Sequence, residues 1–199
     1  MGVPQSSQTL SNRRSGAARQ QDPAVRRLLI IGLVGAAVSL TLGIYANAHS
    51  PASDLTITLG FTNTITMKVW LTTIALCFAV VQILSALWMY RRLPLGTAPP
   101  WLASVHRISG RLAFLLTLPV AYHCLYQLGF QHSSTRVLLH SILGCLFYGA
   151  FTAKVLVVRS RNVPSVALPF LGGLVFVLLV YIWLLSGLWY IDQFGFPSP

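Results

Sequence analysis

The chain has 199 residues, 55 % of them hydrophobic and only 9 % charged, a balance that excludes a soluble domain and marks an integral membrane protein. It has no Glu, and its only acids are Asp22, Asp54 and Asp192, which excludes carboxylate-pair hydrolysis and a carboxylate-bridged di-iron site. The net charge of +11 is no nucleic-acid footprint, because the cations flank apolar segments instead of forming a stripe with interleaved aromatics.

Residues 1–27 are polar, rich in Ser, Gln and Arg, and without apolar periodicity, so they are expected to form a disordered cytoplasmic tail. The opening MGVPQS matches the N-myristoylation pattern, which is too short to carry weight alone. Residues 28–199 are expected to form one transmembrane domain.

The first predicted span is 28–48, with Gly35, Ser39 and Gly43 repeating every fourth residue as a small-residue packing face. Ala46-Asn47-Ala48 also resembles a signal-peptidase site, but the apolar run is longer than a usual signal core and favours a retained anchor. Residues 49–67 form a polar loop, either a small hairpin or a cap on the bundle. The second span, 69–90, has Trp70 at one end and Trp88 with Tyr90 at the other, as an interfacial aromatic belt requires. The third runs from 102 to 128, the fourth from 137 to 157 and the fifth from 168 to 190, closed by Trp189 and Tyr190. The fold class is therefore an all-α membrane bundle of five helices, with spans two to five as the core and span one packed outside.

The charges orient this bundle. Five arginines in the tail, Arg91 and Arg92 after span two, and Lys154, Arg159 and Arg161 around the end of span four share one side. The other side holds Lys68 and Arg136 with Asp54 and Asp192. The positive-inside rule then puts the N-terminus in the cytoplasm and the C-terminus outside, in a bacterial inner membrane.

Histidines carry the chemistry. His123 lies nine residues before His132, the middle of the turn between spans three and four, and His140 lies eight after it. In an antiparallel pair both imidazoles then sit at one depth, to within about 1.5 Å. Intramembrane imidazoles are costly unless they bond or ligate, and two at matched depth suit the axial positions of one haem. Gly144 follows His140 by one turn and leaves room beside the ring for a flat macrocycle. Lys68 and Arg136 stand near that depth and are candidates to pair with haem propionates. Thr117, Tyr122 and Tyr126 are candidates to set the histidine tautomers, and Pro119 to kink the helix before His123.

His106, followed by Gly110 in the same H-x-I-x-G spacing, has no mirror partner on span four. It lies about a quarter turn from the His123 face, so it is expected to stay outside primary ligation. The expected cofactor is one haem b; a second requires Pro119 to reset the phase of His106. His49 and His132 lack companions for a copper or zinc site. Cys77, Cys124 and Cys145 sit in apolar segments, are expected to be small packing residues, and form no C-x-x-C-H.

On His106, Arg107, Gly110, His123 and His140, the segment from about 102 to 157 resembles the transmembrane b-type cytochromes of the ascorbate and ferric reductase superfamily. The resemblance implies a helical core with haems held between histidines at matched depth. That family usually carries four ligands for two haems, and here one is absent. The chain also looks like a five-span membrane family of actinobacteria. Together these readings imply a membrane cytochrome that passes single electrons between the quinone pool and an extracytoplasmic iron–sulfur protein or cytochrome, or within a larger complex. Without a flavin or nicotinamide domain it would be an electron-transfer component and not a complete reductase. The alternative is a cofactor-free helical subunit that anchors a larger membrane complex.

Overall fold

The computed structural model describes residues 23–51 and 56–199. Among these residues all the regular structure is helical, with no strand. The helices are α1 (Pro23–Ala48), α2 (Thr64–Met89), α3 (Leu102–Tyr122), α4 (Thr135–Arg159), α5 (Ala167–Trp183) and a short α6 (Trp189–Phe194). A π-helical turn, His123–Gln127, prolongs α3, and another, Leu184–Leu188, joins α5 to α6. Five continuous helices are long and apolar enough to cross a bilayer: Pro23–Ala48, Thr64–Met89, Leu102–Gln127, Thr135–Arg159 and Ala167–Phe194. The protein is a multi-pass membrane protein of the expected class.

Local chemistry sets the helix ends. Pro23 opens α1, where its missing N–H costs no helical bond. The Asn63 side chain accepts from the Ile65 and Thr66 amides at 2.9 Å and starts α2 five residues before the apolar run that defined the second span. Ser134 caps α4 through the Val137 amide at 3.3 Å. Arg91, at φ 55°, turns the chain out of α2. Pro119 cannot donate inside α3, and the helix widens soon after it, where the Leu128 amide reaches back to the His123 carbonyl at 3.0 Å.

The predicted tail falls outside the described residues as far as position 22, and 23–27 belong to α1. Within the 49–67 loop, 52–55 also fall outside. From 56 to 63 the chain makes a turn through Leu59 (φ 48°) and Gly60 (φ 87°), and from Thr64 it is helical, so the described part of the loop caps the bundle and forms no hairpin.

α1 packs on the outside of the other four helices, as expected. It packs along α4, while α2 packs along α3 and α5 lies against α4 and α2. The reason is the small-residue face: a Cβ on Gly35 would meet the Gly149 carbonyl oxygen at 2.8 Å. In lipid such contacts hold helices through close packing, not through water exclusion. Ile31, Ala153, Val157 and Ala167 form one buried cluster at this seam; Ala79, Phe147, Leu178 and Leu179 form another between α2, α4 and α5. Gly149→Val is expected to force α1 from α4 and cost about 1–3 kcal/mol. A lower melting midpoint in detergent, with Gly172→Val as the unaffected control in open space, checks this.

Candidate functional site

α3 and α4, although consecutive, do not pack tightly along their length. A cavity of about 420 Å³ parts them, walled by α2, α3, α4 and the α5–α6 end, with Ala46 of α1 and the 128–131 loop closing one end. The volume is that of a small-molecule pocket, and the walls are mostly apolar.

One stripe on α4 runs the length of this cavity: Arg136, His140, Gly144 and Tyr148, each four residues from the next. Four-residue spacing stacks them on one helix face over about 18 Å. At one end Arg136 donates to the Leu185 carbonyl at 2.6 Å, and its guanidinium lies 3.7 Å over the Trp189 ring. Lys68 of α2 lines the cavity with it, and among the described residues no acidic side chain does. At the other end the Tyr148 hydroxyl donates to the Thr117 carbonyl at 3.0 Å and ties α4 to α3. Between them, a side chain at Gly144 would meet nothing within 4 Å.

His140 has a buried Nδ1 with no hydrogen-bond partner. Its ring meets the Ile182 backbone of α5. Thr117 serves Tyr148.

Four of the five residues predicted for the site, Lys68, Arg136, His140 and Gly144, meet in this cavity. His123 does not line it. That side chain is 1 % exposed, and its Nε2 lies 2.6 Å from the Ile57 carbonyl while Nδ1 bonds the Gln127 side chain. The cavity face of α3 is Thr117, Ala121, Cys124 and Leu128, and His123 stands one residue, about 100°, away from it. Its depth matches His140, but its azimuth does not. It pins the 56–63 turn to the bundle.

His106 lies outside the cavity. Its Nδ1 is 2.8 Å from the Ser85 hydroxyl, and its carbonyl accepts from the Gln82 amide, which also lies 3.2 Å from the Ser109 hydroxyl. The glycine after each histidine has a different cause. Gly110 makes room for Gln82, whose amide would sit 2.8 Å from an added Cβ, whereas Gly144 opens onto the cavity. His49 stacks between Tyr45 and Tyr126, with centroids at 5.1 and 4.7 Å. Among the described residues no three His, Cys, Asp or Glu side chains gather as a metal cluster.

To a flat group such as haem the wall offers one imidazole, an open glycine a turn along, apolar side chains and two cations at one end. It does not present two facing imidazoles. Composition missed Tyr148, Trp189 and Cys124 as wall residues; the i+4 stripe from Arg136 was the signal that could have found Tyr148.

A model of DUF6529, a family of unknown function, matches residues 28–198. No curated protein and no solved structure matches the chain.

Proposed function

We propose, for a chain that belongs to the DUF6529 family and takes no activity from that membership, the role of a membrane b-type cytochrome with one haem b in the α2–α5 cavity. It would pass single electrons between the quinone pool and an extracytoplasmic redox protein. The observation that carries this reading is the α4 stripe: cation, imidazole, glycine and tyrosine in cavity-lining order. A flat apolar group with anionic substituents at one edge matches that order.

Bound haem would supply a one-electron iron couple. The chain's residues do the rest. His140 would be the residue to hold it. Lys68 and Arg136 would offset propionate charge, and Leu185 and Trp189 hold the guanidinium in place. The mostly apolar walls would suit the face of the macrocycle.

The second reading is a cofactor-free anchoring subunit. It is favoured by His106 and His123, which both spend their rings on hydrogen bonds to neighbouring elements. An absorption spectrum of the detergent-purified protein, grown with ample iron and haem precursor, separates the two. Sharp b-type bands on reduction and pyridine-extractable haem support the cytochrome. A folded protein with no Soret band leaves the anchoring subunit.

The charge pattern also carries an orientation, with the His140 end of the bundle outside. Reporter fusions at Gly96 and after Pro199 are expected to be active in the cytoplasm and outside it, respectively. Cytoplasmic activity of the Pro199 fusion would reverse the topology and move the cavity to the inner half.

A further inference from the structure

We propose that the mouth between α3 and α4 at the arginine-rich end of the bundle holds the phosphate of an anionic phospholipid between Lys154 and Arg107. The proposal does not depend on what fills the cavity. The two helices meet one turn beyond Tyr148, where the Phe114 and Phe151 rings stack with centroids 4.0 Å apart and 7° between their planes. Arg107 precedes Phe114 by seven residues, two turns, and so shares its face of α3. Lys154 follows Phe151 by three residues and neighbours it on α4. On the far side of the stack from the cavity, Arg107 and Lys154 thus stand on facing helices, and His106 lies within electrostatic reach of both. α2 steadies the α3 wall: the Ser85 hydroxyl is 2.8 Å from His106 Nδ1, and the Gln82 amide is 3.2 Å from the Ser109 hydroxyl.

Lys154 is half-buried, and among the described residues its ammonium has no ion-pair partner. The one acidic side chain among those residues, Asp192, is in α6 at the opposite end of the bundle; Asp22 and Asp54 fall outside them. An ammonium at membrane depth is costly without an anion, so the counterion is drawn from outside the helices. Arg107 is exposed and donates to the Ser104 hydroxyl of its own helix at 3.1 Å, which leaves most of its donors for that anion. A phosphodiester brings one negative charge and acceptor oxygens for both cations. Depth selects a lipid. Lys154 lies five residues before Arg159 at the end of α4, and Arg107 five after Leu102 at the start of α3. Each is about 7.5 Å inside its helix end, comparable with a headgroup layer about 5–7 Å thick on each side. A lipid phosphate is carried to that depth by its own chains. A free anion arriving from water meets the exposed Arg91, Arg92, Arg159 and Arg161 first.

The test uses the full-length protein, exchanged into detergent with phosphatidylglycerol or with phosphatidylcholine of the same acyl chains, and counts retained lipid by native mass spectrometry. The parent is expected to retain phosphatidylglycerol through washing that removes phosphatidylcholine. Lys154→Gln should lower that retention at least about fivefold, the effect of one cation at a membrane surface. Lys154→Arg should keep it. Arg161→Gln, the same charge change at an exposed position, should leave it unaltered. Equal retention of the two lipids by the parent overturns the proposal, whether or not the variants fold. Retention unchanged in folded Lys154→Gln, or lowered as much in Arg161→Gln, overturns it too, because the attraction is then to the surface charge at large. Displacement of phosphatidylglycerol by excess inorganic phosphate overturns the lipid assignment and shows a free-anion site.

Discussion

His140→Ala is expected to strip the protein of haem, with a loss of affinity beyond the roughly 10–100-fold that follows removal of a supporting contact around a metal. The substitution removes the one imidazole in the cavity wall and the nitrogen that is buried without a partner. It should not unfold the chain, because the ring gives up only its bond to the Ile182 backbone. Haem per protein, measured by pyridine extraction, checks the expectation, and Gly144→Leu gives the matching result from the other side. A leucine there fills space that is open for at least 4 Å around the glycine without touching a donor atom. Haem retained at parental level in both variants would remove the cavity from consideration as the cofactor site.

His123→Ala is expected to do the reverse: to lower stability and leave haem in place. The side chain is among the largest that are fully buried, and its loss leaves the Ile57 carbonyl and the Gln127 side chain without their bonds. An unpaired buried polar group costs about 1–3 kcal/mol, and the void adds to it. A total near 3–5 kcal/mol corresponds to a fall in melting midpoint of roughly 10 °C for a chain of this size. Thermal melting in detergent and haem per folded protein check the two halves. Loss of haem without loss of stability would show that His123 ligates after all, as its depth alone suggests.

Those two histidines mark the limit of what the sequence discloses. Length and hydropathy gave five crossings because a bilayer tolerates little else, and the ends strayed where caps such as Asn63 extended a helix beyond its apolar run. Depth is countable from a turn, and Lys68, Arg136, His140 and Gly144 do line one cavity. Azimuth around α3 was not countable in the same way. It depends on which neighbour the helix faces, and α3 faces α2 along its length while the cavity parts it from α4. The mate of α1 was illegible for a related reason: Gly35 and Ser39 announce a close contact but not with which helix, and Gly149 is one of several glycines that could have answered.

The cavity draws its wall from every crossing: Ala46 from the first, Lys68 from the second, Cys124 from the third, His140 from the fourth and Trp189 from the last. During synthesis these pieces enter the membrane one after another. The guanidinium of Arg136 has neither its carbonyl nor its aromatic neighbour until residues 185–189 have arrived. A ligand of this cavity would therefore find its wall complete only late in biogenesis, after the final helix is released into the bilayer. A nascent chain stalled before residue 167 would present His140 beside an open cleft filled by lipid tails.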